Sequence, residues 1–595
     1  MVMRTQRVLA WLVVAVVIGV AGRAEATQKF GPLELSGNIQ SQQLIRHPDI
    51  DQYYFIQQRN TLRVRVDYES MKRGGKFLDR FDLSDWVESS HLFLLYRGVY
   101  DSVYDLTPGF SDGFEYTGEK IDKRFNHLDD MNKGWRNAMK FENDLREAYV
   151  DVKFRGNFSL RAGKQQIIWG ESDGFRLLDR ANALDLSWHF FYELPPPAFG
   201  LDDLRIPFWM IKGLYDFGSV GSWSNVFAEA YWNPGDWSPS KLSFLPNPWG
   251  VRLGNPLTNP RSGAFYAVFP GISRLMNGTS LRQGNYDRNP IDNSQFGIRF
   301  NGVTGPDTPI LPEGLQIQIG YLYQRFAPSG GATSSAALAR GIPPTEAGQI
   351  HTQELVSRGT LPVEFYTPYI HTIGVAANYF DEWTKIVWRT EQAYDFGIPF
   401  YSCAHDADQV NRRLDAGERA CTRDTTFAPF LPGIRNHDVW SGLIAFDRPT
   451  WIRPLNKKTT FFITGQLFHT YMIQKAKSTI GGLDLPTKTK TIGQDPPIAY
   501  RDDIHRWEML MTFAIIGFYR GGSVAPAFIY LLDPVNSYSQ AAIWGVDYFV
   551  TPNFAVNLSQ RYIINPTREL NFEPWGIAGL NRGRSETGIR FSYQF

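Results

Sequence analysis

The stretch richest in chemistry in this 595-residue chain runs from Trp169 to Ile211. It opens on Trp169-Gly170-Glu171-Ser172-Asp173-Gly174, passes Arg176, Arg180 and Asp185, and then gathers Trp188, Phe190, Phe191, Tyr192, Phe199, Phe208 and Trp209. Ionisable groups beside aromatics can do one of two things. They can fill and brace a wide cavity, or they can form a path for an apolar solute. In the second case Trp169, Trp188 and Phe199 would line the way, and Glu171, Arg176, Arg180 and Asp185 would hold polar ends. The apolar residues here do not alternate, so the segment is not a strand. Asp179 to His189 fits a short helix that stops before Pro195-Pro196-Pro197. Aromatics exposed to water are a liability, so 170–210 is expected to fold inward.

Other chemistry finds little support. A hydrolase would need a nucleophile beside a His and an orienting group. The ten His are scattered, and the pairs His371/Asp381 and His469/Gln466 read as structural or solvated. No His, Cys or carboxylate cluster has metal-ligand spacing, and no Cys-x-x-Cys-His is present. Gly330-Gly331 and Gly521-Gly522 are turns rather than phosphate loops. The chain is expected not to be an enzyme, and to need no metal and no cofactor. Its two cysteines, Cys403 and Cys421, flank a polar stretch. A disulfide between them would contribute about 3 kcal/mol in the loop-entropy model.

Alternation identifies the elements that must position these residues. In Gly588-Ile589-Arg590-Phe591-Ser592-Tyr593-Gln594-Phe595, apolar and polar residues take turns, which makes a strand with two unlike faces. The same period recurs at 62–69, 147–154, 158–163, 315–321 and 554–559. Short turns (155–157, 218–222, 380–382, 521–522, 551–553) alternate with long polar connections (100–144, 233–290, 327–369, 397–435, 475–503, 565–584). Short turns on one side and long loops on the other are the habit of a transmembrane barrel. The expected fold is all-β: a closed antiparallel barrel over 27–595 of about 18 strands (14–18 fit the pattern), with the inward segment as loop or short helix. An even count puts both ends of the chain on one side. The polar partners Arg63, Arg65, Arg161, Arg299, Arg389, Glu391, Arg561 and Arg590 then face the lumen. On the lipid face each would cost about 2–4 kcal/mol near the midplane. Tyr68, Trp232, Trp383 and Tyr593 are candidates for the interfacial girdles.

The chain's beginning fits. Arg4 and Arg7 precede an uncharged apolar run, Val8 to Val20, and Ala24-Glu25-Ala26 is a small-x-small cleavage site. Residues 1–26 read as a secretory signal. The run is short for a membrane-spanning helix, and no longer one follows. Hydrophobic residues are 43% and aromatics 15% of the chain, with 53 Gly, as suits strands that are only half apolar. A formal charge of +1 argues against nucleic acid as a partner.

Arg146-Glu147-Ala148-Tyr149, Gly163-Lys164-Gln165, Trp169-Gly170-Glu171, and Asp179 with Asn182 and Asp185 resemble the hallmark of a proteobacterial outer-membrane family catalogued as a domain of unknown function. Asn182-Ala183-Leu184-Asp185 departs from that family's Asn-Pro-x-Asp. The terminal Phe591, Tyr593 and Phe595 likewise resemble the signal read by the barrel-assembly machinery. The resemblance implies an outer-membrane location in a Gram-negative bacterium, with the chain ends in the periplasm. It also implies contact with outer-membrane lipid and lipopolysaccharide, and a periplasmic lipid-binding or exporter partner. The leading expectation is an outer-membrane channel or transporter passing a hydrophobic or amphipathic solute without its own energy source. No globular plug is expected before the first strand near Leu33, which argues against an energy-coupled, plugged transporter. The alternatives are a general or anion-preferring diffusion porin and a non-conducting structural or docking barrel.

Overall fold

The computed structural model describes residues 27–47, 53–71, 85–106, 140–173, 176–186, 203–237, 241–242, 281–282, 290–326, 339–341, 363–365, 368–401, 434–473, 506–535, 538, 540–564 and 585–595. Eighteen of its strands close into one antiparallel barrel. They are β1 (Leu33–Arg46), β2 (Tyr54–Glu69), β3 (Val87–Asp101), β4 (Phe141–Phe154), β5 (Phe158–Gln165), β6 (Phe208–Val220), β7 (Trp223–Asn233), β8 (Gln295–Thr304) and β9 (Gln316–Arg325). The circuit continues through β10 (Tyr369–Asp381), β11 (Ile386–Tyr401), β12 (Ile434–Thr450), β13 (Phe461–Met472), β14 (Trp507–Ile516), β15 (Val524–Leu532), β16 (Gln540–Thr551), β17 (Phe554–Ile564) and β18 (Glu586–Gln594). Each pairs with its neighbours in sequence, and β1 pairs with β18. A short strand, Thr27–Phe30, doubles back on β1.

Closure matters because a free sheet edge in lipid would leave backbone groups unpaired. The β1–β18 seam runs from Asn38↔Gln594 to Arg46↔Glu586. At one end Gly37 and Phe595 exchange backbone bonds of 2.9 and 3.0 Å. The terminal ring covers Gly37, where a Cβ would lie 2.6 Å from it. At the other end Arg46 and Glu586 form a fully buried ion pair at 2.6 Å.

Alternation sorts the side chains as expected. Leu145, Ile211, Ile298, Ile319, Ile373, Ile444, Leu467, Met511, Phe528 and Leu558 are exposed on the outer face. Two aromatic rings bound this belt. Trp232, Phe396, Trp440, Trp507 and Trp544 lie toward one end, and Phe217, Phe300, Phe380, Trp388 and Phe549 toward the other. Such an apolar belt between aromatic girdles is the surface a bilayer requires. Strands span 8 to 17 residues, a wider range than the alternation alone showed. Connections 155–157, 221–222, 382–385 and 552–553 gather at one end. Residues 70–86 join β2 to β3 at that same end and are longer than expected there.

The inner face is divided. From β2 to β5 it carries Arg63, Arg97, Arg146 and Arg161. From β12 to β16 it carries Leu443, Phe468, Leu510, Ala514, Ile529, Leu531, Ala541 and Ile543, all nearly or fully buried. These belong to one apolar cluster with Ile167, Trp169, Leu177 and Leu178.

Candidate functional site

The site is built by the chain between β5 and β6. Its described parts, 166–173, 176–186 and 203–207, lie against inward-facing residues of strands from β2 round to β13. A helix over Asp179–His189 does not form over the described part, 179–186. The backbone there bonds across the chain instead: Ile206 N–H donates to Ala183 (2.8 Å) and Asp185 N–H to Leu204 (2.6 Å). Asn182 enforces this path. Its carbonyl accepts from Ile167 N–H at 2.8 Å, and its amide donates to Gln165 and Ile206. Arg176 adds bonds to the carbonyls of Asp179 and Asn182. Arg205 closes the unit on Asp179 at 2.5 Å. Side-chain acceptors thus outbid the i to i−4 ladder.

Three latches hold this unit to the wall. The first is Glu391 on β11, whose carboxylate accepts from the N–H groups of Glu171 (2.6 Å), Ser172 (3.1 Å) and Leu178 (2.5 Å). Gly170 makes that approach possible. Its φ is +90°, and a Cβ would lie 2.4 Å from Glu391 Oε2. Arg389 donates to the Glu171 carbonyl at 2.5 Å and pairs with Asp173 and Asp447, both at 2.7 Å. Arg180 donates to Asp395 at 2.7 and 2.8 Å.

The second latch is Trp169. Its indole N–H donates to Glu229 on β7 at 2.6 Å, its ring meets Tyr231 edge-on at 5.4 Å, and the Arg299 guanidinium lies 5.4 Å from the ring centre. The third is Asp203, which pairs with Arg63 and Arg97. Its carbonyl accepts from Arg97 (2.9 Å) and Arg146 (3.2 Å). Partial burial raises the Asp203 carboxyl, but the charges of Arg63, Arg97 and Arg146 outweigh it and hold the group well below the usual carboxylate range. For Glu171 burial wins over its bond from Asn378 and the charge of Arg389, so its carboxyl sits above that range.

Between the unit and β2–β5 a cavity of about 330 Å³ remains, lined by Arg63, Arg97, Arg146, Arg161, Ile168 and Asp203 among others. Arg161 pairs with Asp151 at 2.6 Å and lies over the Tyr149 ring at 4.0 Å.

Trp169, Glu171, Arg176, Arg180, Arg63, Arg389 and Glu391 therefore meet in or around one unit. Asp185 joins it through its backbone. Arg65 does not: it pairs with Asp67 at 2.5 Å and stays half exposed. Arg561 and Arg590 lie on the inner wall at the β1–β18 closure, near Gln42 and outside the latched unit. Trp188, Phe199, Cys403, Cys421 and residues 1–26 lie outside the described residues. Phe591 is exposed on the outer face and Phe595 is buried against Gly37. Sequence reasoning missed Asp203, Glu229 and Asp395. Glu229 and Asp395 stand at inward positions of their strands, and that alternation was the available signal.

The enzyme candidates come apart. His371 bonds Tyr321 at 2.8 Å, while Asp381 caps the turn at Trp383 and Thr384. Gln466 faces in, accepting from Asp173 N–H, and His469 lies near Gln392 on the outer face. Among the described residues no group of three His, Cys, Asp or Glu is arranged to hold a metal ion.

The molecule is thus a closed antiparallel barrel with a chain segment latched to its inner wall. The chain belongs to the family described as "Protein of unknown function (DUF1302)", which matches residues 63–566. No curated protein matches it. Among solved structures it is similar to Acinetobacter baumannii OccAB4 (8% identity, 95% of this chain and 98% of that one covered, TM-score 0.39). It is also similar to Pseudomonas aeruginosa OpdK solved with vanillate (6%, 95% and 98%, 0.39) and to Pseudomonas putida OprB (9%, 95% and 94%, 0.37).

Proposed function

We propose that this protein is an outer-membrane channel, not an enzyme, that passes an amphipathic solute bearing an acidic group without an energy source of its own. The observation that carries the reading is the divided interior. A water-filled porin has a polar lumen throughout. Here one wall presents arginines around a cavity, and the other holds an apolar cluster, flanked by polar groups such as Gln466 and Glu508, that is continuous with the latched segment. An acidic head suits the first wall and a hydrocarbon body the second. The segment between Trp169 and Phe208 acts as the constriction, with its turns-side end and both termini in the periplasm.

The test is transport into proteoliposomes of the mature chain, with laurate as the amphipathic probe and chloride as the plain anion. Laurate entry well above chloride, lowered by Leu510→Arg, supports the reading. Equal entry of both, or chloride conductance with no laurate entry, overturns it in favour of a diffusion porin. A barrel that passes neither overturns it in favour of a structural or docking role.

A further inference from the structure

The two turns at residues 451–460 and 517–523 form one body at the end of the barrel that carries the short turns. They join β12 to β13 and β14 to β15, and β13 and β14 are themselves paired. Asn456 donates its amide to the Phe518 carbonyl at 2.7 Å, Thr459 Oγ1 donates to the same carbonyl at 2.5 Å, and the Tyr519 hydroxyl donates to the Leu455 carbonyl at 3.3 Å. Phe461 and Tyr519 meet edge-on. The platform is therefore built, not a pair of loose loops.

Its charge is one-sided. Arg448, Arg453, Lys457, Lys458 and Arg520 are all exposed, and none has an acidic partner among the described residues. The sequence explains this: 448–472 and 512–532 contain no Asp or Glu. Asp447, just before, faces inward and is taken by Arg389. The 305–315 turn at the same end carries Asp307 and Glu313, and the 382–385 turn sets Glu382 beside Lys385, so this sector of the rim is where cations cluster without acids among them.

Apolar groups stand among these charges. Trp451, Leu455 and Phe518 are exposed, and the Arg453 guanidinium lies 5.5 Å from the Trp451 ring centre. The patch also continues the lipid-facing surface. On β12 the outward row runs Trp440, Ile444, Phe446 and then Arg448, opposite Ile463 of β13. The first charge thus appears one outward position past the apolar belt, at the level where hydrocarbon gives way to headgroups.

We infer that this platform binds the phosphate of an anionic glycerophospholipid, with Arg448, Arg453, Lys457, Lys458 and Arg520 around the headgroup and Trp451, Leu455 and Phe518 against the acyl chains. Charge complementarity and continuity with the lipid-facing belt select a lipid over an acidic protein. The inference rests on the membrane location proposed above. Clustered Lys and Arg beside a bilayer attract anionic lipid, each contributing about a fivefold gain. Four such charges multiply to a ceiling of several hundredfold, and with each only partly engaged a quadruple variant should lose at least about tenfold in retention.

The experiment is native mass spectrometry of the full mature chain in detergent, delipidated and then offered phosphatidylglycerol and phosphatidylcholine in equal amounts. The wild type should retain phosphatidylglycerol about tenfold over phosphatidylcholine, and R453Q/K457Q/K458Q/R520Q should lose that preference. K29Q/R155Q, which removes cations elsewhere at the same end, should keep it. A heat-modifiable gel shift confirms that each variant is a closed barrel. No preference in the wild type, a preference unchanged in the quadruple variant, or one lost equally in K29Q/R155Q overturns the inference. So does tighter retention of lipid A phosphates at the same residues. A chain that enters planar bilayers yet shows no lipid preference sinks this inference alone, whereas one that never enters bilayers sinks the membrane reading first.

Discussion

The β2–β5 wall and the β12–β16 wall of the barrel interior solve opposite problems. The first places Arg63, Arg97, Arg146 and Arg161 side by side and satisfies them with Asp203, Glu142 and Asp151. The second also carries inward polar groups, among them Asp447, Gln466, Glu508 and Asp547, but between them Leu510, Ile529, Leu531, Ala541 and Ile543 pack in one apolar cluster. Both walls have the same alternation and the same outer belt. What differs is the chemistry of the inward position alone. A barrel can thus change its interior from wet to dry around its circumference without changing a single strand, because inward and outward residues are independent along each strand.

The latched segment bridges the two walls, so loosening it gives the largest effect. Glu391→Ala removes the one acceptor of three N–H groups, each worth about 1–3 kcal/mol when left unpaired. Single-channel conductance in a planar bilayer should rise several-fold over wild type, with a lower unfolding temperature. Unchanged conductance would show that the segment does not narrow the path. Gly170→Ala strikes the same latch more gently, through a left-handed φ and a contact on Glu391. We expect a cost of about 1–3 kcal/mol and a smaller rise in conductance.

Next comes the dry wall. Ile543→Asp puts a carboxylate into the apolar cluster. Laurate uptake should fall severalfold while chloride conductance holds or increases; equal losses of both would mean general damage instead.

Asp203 sharpens the wet wall. Asp203→Asn leaves Arg63 and Arg97 without their shared counter-charge, and reversal potentials under a salt gradient should move toward anions by a few millivolts to tens of millivolts. The pH dependence follows from its lowered pKa. The stabilisation from a depressed carboxyl is complete above its unfolded value, about 3.9, and is lost only as pH falls through the lower folded value. This latch should therefore hold between about pH 5 and 8, with selectivity flat across that range. Selectivity that drifts between those limits would assign control to another group.

The smallest change is expected at Arg161→Ala. Arg161 lies at the cavity's margin and already pairs with Asp151, so selectivity should shift by less than for Asp203→Asn. A larger shift than at Asp203 would place the narrowest point beside β5 and away from the three-arginine cluster.

Much of the barrel was legible in the chain itself. Period-two alternation and short turns against long connections led to a closed barrel of about 18 strands, because each strand states its two faces locally. The Trp169-Gly170-Glu171 run also announced itself, since an aromatic segment without strand period has to bury somewhere. Its conformation was not legible. Asp179–His189 looked helical by local propensity, yet Asn182, Arg176 and Arg205 take its backbone and side-chain bonds across the chain. That outcome depends on partners more than twenty residues away, such as Ile206 and Arg205. The pairing of Glu391 with three N–H groups 213 to 220 residues distant is likewise invisible to any local pattern. Which residues face in and which face out is a local matter, set by neighbours two apart along each strand. Which inward residues meet is not local: closure brings distant strands around one segment, and burial then chooses its partners.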